Sequence, residues 1–136
     1  MEDFRVLIVD DEQDFLETIV KRLKKRKIDV TGINSGERAL EILDSEHFDV
    51  VILDVRMQGM DGIETLREMK RMWPLTEVIM LTGHASVESG MEGMQQGAFD
   101  YVMKPADIND LIEKIRQAYQ RKSMHERRLQ KDGRMA

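Results

Sequence analysis

The sequence predicts an open, doubly wound α/β fold built on a parallel sheet. Three observations carry that expectation. Short apolar runs alternate five times with stretches of helical period along the 136 residues. The runs "RVLIV" (5–9), "VVIL" (50–53) and "EVIML" (77–81) are continuous rather than alternating, as parallel strands covered on both faces are. Helices between successive strands then supply right-handed crossovers.

Each element has its own signal. In "DFLETIVKRLKKR" (14–26), Phe15, Ile19 and Leu23 recur at four-residue spacing beside Leu16 and Val20, giving one apolar stripe. Lys24, Lys25, Arg26 and Lys27 suit the negative end of that helix dipole. "DVTGI" (29–33) is a weaker second strand. Ser35 can cap the next helix, with Ala39, Leu40, Ile42 and Leu43 facing inward. Asp61 and Glu64 form an acidic capping box before "GIETLREMKRM", and Pro74 closes that helix. Ser86 caps a fourth helix running to about Gln96, with Gly97 at its C-terminal stop. "YVM" (101–103) is the fifth strand. Asp107 opens the last helix, carried by Ile108, Leu111, Ile112, Ile115 and Tyr119. Residues 120–136 extend or fray that helix and stop it at Gly133.

Composition narrows the function. An apolar fraction of 41% suffices for one packed core, so a single domain over residues 1–120 with a basic extension at 121–136 is expected. From Arg121 onward six basic residues meet only Glu126 and Asp132, so the tail is basic and the body acidic. An acidic body argues against direct nucleic-acid binding. The tail is read as a solvated terminus. With no cysteine, thiolate chemistry and disulfides are excluded. The N-terminus lacks a basic, then long apolar, leader, and no run reaches the roughly 18 apolar residues of a membrane span. A soluble cytoplasmic domain is expected.

In such sheets ligands bind beyond the carboxyl ends of the strands. The residues there are Asp10 and Asp11 after strand 1, Asp54 after strand 3, Thr82 after strand 4, and Lys104 and Pro105 after strand 5. Three carboxylates in one crevice repel each other, and a hard divalent cation such as Mg²⁺ resolves the conflict. The set has no nearby histidine or cysteine, which does not suit zinc. One carboxylate can then act as a nucleophile on phosphorus, with the metal and a lysine neutralising charge. A lone strand-end aspartate is usually a turn or cap residue; several together, with a hydroxyl and a lysine, point to a site.

With "LIVDDE" (7–12), "VVILDVRMQGMDG" (50–62), "VIMLTGHAS" (78–86) and "GAFDYVMKP" (97–105), the chain resembles the receiver domain of two-component response regulators over roughly residues 3–120. "LTGHAS" and "GAFDYVMKP" look most like receivers of sigma-54-dependent transcription activators. The resemblance implies a flavodoxin-like sheet of order 2-1-3-4-5 and Asp54 as phospho-acceptor. It implies Mg²⁺ held by the carboxylates of Asp11 and Asp54 and the carbonyl of Arg56, with Asp10 acting through metal-bound water. Lys104 would contact the phosphoryl oxygens, and Pro105 would follow through a cis peptide bond. Thr82 would bond the phosphoryl group and Tyr101 would swing in behind it. Arg56 and His84 occupy positions that in the family tune dephosphorylation; here their side chains would either screen the acyl phosphate from water or point to solvent. The implied donor is a sensor histidine kinase or phosphotransfer protein, and the implied output is a changed surface on the fourth helix, fifth strand and fifth helix, with a homodimer through it possible. Such a domain catalyses only its own phosphorylation and dephosphorylation. Gln58 stands where the family commonly has proline, which leaves that loop less restrained.

Two rival functions share parts of this pattern. An aspartyl-nucleophile phosphatase of the haloacid-dehalogenase type wants an acid two residues after the nucleophile, where this chain has Arg56. A binding-only module of the same fold would normally lose part of the acidic set or the lysine. The chain is either a stand-alone receiver or a piece of a longer regulator. The methionines are read mainly as gap-fillers, with Met91 and Met94 on the fourth helix open to a partner role. "GMEGMQQG" lacks the context of a nucleotide-binding loop. His47 and His125 are read as surface residues without partners, and Trp73 as packing at the end of the third helix.

Overall fold

The computed structural model describes residues 3–57, 59–83 and 87–135. Strands and helices alternate: β1 (Arg5–Val9), α1 (Gln13–Lys25), β2 (Asp29–Ile33), α2 (Gly36–Ser45), β3 (Val50–Asp54), α3 (Gly62–Met72), β4 (Glu77–Thr82), α4 (Val87–Gln95), β5 (Asp100–Met103) and α5 (Ile108–Met135). The strands form one parallel sheet in the order β2-β1-β3-β4-β5. This is the flavodoxin-like order. β3 and β4 each run one residue past their apolar run, so Asp54 and Thr82 are the last residues of their strands.

Every residue of β3 and β4 is buried, and alternation explains why. Val6, Ile8, Ile52, Ile79 and Leu81 face α1 and α5, where they meet Leu16, Ile19, Leu23, Leu111 and Ile115. Leu7, Val9, Val51, Leu53, Val78 and Met80 face the other way, onto Ala39, Leu43, Leu66 and Met69. Both sheet faces are therefore core, and each fully buried aliphatic contributes roughly 1.5–3 kcal/mol of transfer free energy.

The capping residues act as their positions suggest. Ser35 Oγ accepts from Arg38 N at 3.2 Å, and Asp61 Oδ1 accepts from Glu64 N at 2.9 Å. Asp107 Oδ1 accepts from Asn109 N and Asp110 N at 2.9 and 3.1 Å. The expected cap at Ser86 lies outside the described residues. Gly97 (φ 104°) ends α4 with Ala98 N donating to Gly93 O at 3.0 Å. α1 ends the same way, with Ile28 N donating to Leu23 O at 3.2 Å, but the left-handed position is Lys27 (φ 62°).

Three expectations are corrected at the edge of the sheet opposite the strand C-termini. α5 does not stop at Gly133; it runs as one helix of 28 residues to Met135. The intrahelical ladder outweighs one glycine, whose helix penalty is only about 1 kcal/mol. The start of the basic tail is not solvated. Lys122 is 2% exposed and sits 3.0 Å from Asp49 Oδ1 and 3.0 Å from Glu126 Oε1. Arg121 engages both carboxylate oxygens of buried Glu77 and stacks 4.6 Å over the Phe99 ring. His47 is not partnerless: its Nε2 lies 3.0 Å from Asp49 Oδ1. Asp49, just before β3, and Glu77, the first residue of β4, are buried acids that need compensation, and α5 and α3 deliver cations to them. Lys70 of α3 completes the set, donating to Pro74 O and Thr76 O and lying 3.5 Å from Glu77. Trp73 is the C-cap of α3 and packs against the α2–α3 side of the core. Among the described residues no helix is long and apolar enough to cross a membrane.

Candidate active site at the strand C-termini

β1, β3 and β5 each lead to a charged side chain in a single crevice, and β4, between the last two, ends at Thr82. Asp10 follows β1, its backbone N held by Ile33 O at 3.0 Å. Its side chain is wholly buried, and Oδ1 accepts from Glu12 N at 2.8 Å. Asp54 ends β3 and is 4% exposed, with Oδ1 3.4 Å from Arg56 N. Lys104 follows β5, and its N donates to Thr82 O at 2.7 Å, extending the β4–β5 ladder by one rung. The peptide bond from Lys104 to Pro105 is cis.

Lys104 is the hub. Its Nζ lies 2.8 Å from Asp10 Oδ2, 2.8 Å from Glu12 Oε1 and 3.6 Å from Asp54 Oδ2. The Phe15 ring supports it from below, 4.6 Å to the centroid. Burial works to lower the Lys104 pKa, but Asp10, Glu12 and Asp54 outweigh it and hold the ammonium above its usual value. Asp54 moves the other way. Burial first, then the charge of Asp10, pushes its carboxyl up to about 7, against the pull of Lys104 and the Arg56 N–H. One cation is too little for three carboxylates.

The donor set fits a hard divalent cation. Oxygens of Asp10, Glu12 and Asp54 all lie within 4.8 Å of one another. Asp10 Oδ2 is buried without a hydrogen bond of good geometry, although Lys104 stands beside it as an ion pair. A buried carboxylate that shares its one ammonium with two other carboxylates invites a further cation.

The other anticipated residues fall around this centre. Asp11 is exposed at the rim, outside that three-carboxylate cluster. Arg56 is exposed and reaches Asp54 through its backbone. Thr82 is fully buried, and its hydroxyl donates to Met103 Sδ at 3.2 Å. Tyr101 points outward, 37% exposed. His84 and Gln58 lie outside the described residues. Met91 and Met94 are both exposed on α4. A cleft of about 500 Å³ opens beside the crevice between the β3–α3 loop and α4, lined by Arg56, Met57, Asp61, Glu64, Arg67 and Glu92.

Sequence reasoning missed three contributors. Glu12 follows the aspartate pair in "LIVDDE", and that acidity is the signal that could have found it. Phe15 lies on the helical stripe, which signals only packing. Gly62 carries the Asp54 carbonyl against its own backbone, 2.1 Å from where a Cβ would stand. Only a glycine permits that approach, and nothing in the local pattern says so.

A five-stranded 2-1-3-4-5 sheet with an acidic cluster, a hydroxyl and a lysine at its strand ends is the architecture of a phosphate-responsive α/β signalling domain. The chain belongs to the response regulator receiver domain family, which it matches over residues 6–116. It is 39% identical over 120 residues to the regulatory protein AtoC of Escherichia coli K12, covering 88% of this chain and 26% of that one. It is 40% identical over 106 residues to the transcriptional regulatory protein ZraR of the same strain, covering 78% and 24%. It is also similar in structure to a CheY-like response regulator receiver domain protein from Methanospirillum hungatei JF-1, at a TM-score of 0.84 and 30% identity, covering 90% of this chain and 98% of that one. The chain thus spans about a quarter of the length of these two curated relatives. Receiver domains serve phosphorylation-activated signalling as parts of response regulators rather than as dedicated enzymes.

Proposed function

We propose that this chain accepts a phosphoryl group on Asp54 from a phosphohistidine of a sensor kinase or phosphotransfer protein in the cytoplasm. The observation that carries the reading is the convergence of Asp10, Glu12 and Asp54 on one ammonium, with Asp10 Oδ2 left without a hydrogen bond. An Asp54 oxygen attacks phosphorus, an O–P bond forms, and the P–N bond to imidazole breaks with its electron pair returning to the ring. Mg²⁺ would be held by Asp54 and Asp10 or Asp11, with Glu12 at the edge of the set and the Arg56 carbonyl as a further oxygen. Bound there, it neutralises charge on the carboxylates and on the transferred group. Lys104 contributes its ammonium to the phosphoryl oxygens and so leaves one of its resting partners.

Thr82 then bonds the phosphoryl group and Tyr101 moves inward behind it. The face formed by α4, β5 and α5 changes shape, and a homodimer through that face is one way to read the change out. α4 suits this role. It is nine residues long, packs through buried Gly90 and Gly93, and shows Met91 and Met94 to solvent. Glycines weaken a helix by about 1 kcal/mol each, so its position is easily biased. Arg56 and His84, two residues beyond Asp54 and Thr82 respectively in sequence, would tune the lifetime of the acyl phosphate.

Incubation with acetyl phosphate and Mg²⁺, followed by intact-protein mass spectrometry, tests the acceptor. The wild type should gain one phosphoryl mass and Asp54→Asn none. Equal incorporation in the variant overturns the assignment.

A further inference from the structure

We infer that Met103 is a positioning residue for the switch, its thioether holding the Thr82 hydroxyl in the resting state by a bond weak enough to be given up. The inference rests on the phospho-acceptor reading above and adds to it the group from which Thr82 must be released.

Thr82 and Met103 are direct register partners on β4 and β5, so their side chains leave the sheet on the same face. The rung formed by Lys104 N and Thr82 O at 2.7 Å fixes that register beyond the last pair. The Thr82 side chain is fully buried, and a buried hydroxyl needs an acceptor. Among the described residues the bond it makes is to Met103 Sδ, at 3.2 Å. Thioether sulfur is a weak acceptor, so the hydroxyl is satisfied but not tightly held. A phosphoryl oxygen offers a charge-assisted bond roughly twice as strong as a neutral one. Exchange of one for the other favours the activated arrangement. Had the partner been a carboxamide or carbonyl oxygen, the exchange would return far less.

Met103 is also placed to couple this release to the surface. Tyr101 lies two residues earlier on the same face of β5. Both are 37% exposed. The backbone of Gly90 in α4 approaches the Tyr101 ring, 3.5 Å from where a Cβ would stand. Release of the hydroxyl frees the Met103 side chain beside the ring that is to move.

The test separates the acceptor atom from side-chain bulk. Met103→Leu keeps the approximate size and removes the acceptor; Met103→Gln keeps the length and supplies a stronger one. Binding of beryllofluoride in the presence of Mg²⁺ is measured by titration calorimetry. Thr82 side-chain rotamers are measured by NMR couplings in the protein without either. Met103→Leu should bind about three- to tenfold more tightly than the wild type and show mixed Thr82 rotamers. Met103→Gln should bind more weakly by a similar factor and show one rotamer. In a Thr82→Val background both substitutions should leave the affinity within about twofold of Thr82→Val alone. Shifts of the same sign, no shifts, or shifts that persist without the hydroxyl overturn the inference while leaving the acceptor reading intact. Failure of the wild type itself to bind beryllofluoride overturns both.

Discussion

Asp54 carries the largest electrostatic conflict in the crevice. Burial and the neighbouring Asp10 raise its pKa to about 7, while in an unfolded chain it would titrate near 4. A raised folded-state value contributes stability that is complete below the unfolded pKa and is lost as pH climbs to the folded one. In metal-free buffer the protein should therefore lose stability between about pH 4 and 7, by roughly 2–4 kcal/mol from this group, with little further loss above. Asp54→Asn should remove that component of the decline. Mg²⁺ at pH 8 should raise the denaturation midpoint of the wild type and barely move that of the variant. Urea melts at pH 5 and pH 8, with and without Mg²⁺, check all three outcomes. The lysine beside it was legible from its place after the fifth strand, as was Asp54 from its place after the third. Glu12 was not: its carboxylate meets Lys104 across 92 residues of sequence, and no local period encodes such a contact.

Elements were legible where their signals are local. The apolar stripe of α1, the Ser35, Asp61 and Asp107 caps and the Gly97 stop depend on residues within about a turn of each other. The same reasoning gives a stability prediction at α1. Its C-terminal motif places Lys27 at φ 62°, where glycine pays no Cβ penalty. Lys27→Gly should stabilise the protein by about 0.5–1 kcal/mol, read as a rise in the urea midpoint at unchanged m-value. The end of α5 was harder to place. A glycine at 133 reads as a stop, yet helix Ile108–Met135 passes through it. A glycine stops a helix only when the chain turns there; on a helix already nucleated over six turns it is a small local cost.

At the scale of the whole molecule, charge is separated onto two edges of the sheet. The strand C-termini hold excess carboxylate, which phosphate chemistry with a cation requires. The strand N-termini hold Asp49 and Glu77, compensated by Lys122, Arg121 and Lys70. Burial works to raise Asp49, but the Arg5 N–H, Lys122 and His47 together hold its carboxyl below the usual range. The first two residues of the basic extension therefore behave as part of the domain. Ending the chain after Gln120 should cost roughly 3 kcal/mol, because buried Asp49 loses Lys122 and buried Glu77 is left with Lys70 as its cation. Ending it after Arg128, with both cations retained, should cost less than about 0.5 kcal/mol. Denaturation of the two truncations against the full chain decides it.

By itself the sequence determined the alternation of strands and helices, the burial of both sheet faces, and the set of residues at the strand C-termini. These follow from hydrophobic period and from strand direction, both properties of short segments. The tertiary structure alone decided which of those residues touch. It turned Glu12 rather than Asp11 into the carboxylate cluster, seated Lys122 on Asp49, and set Met103 against the Thr82 hydroxyl. Each depends on how crossovers bring distant segments into register, and a pattern of period 2 or 3.6 carries no information about that.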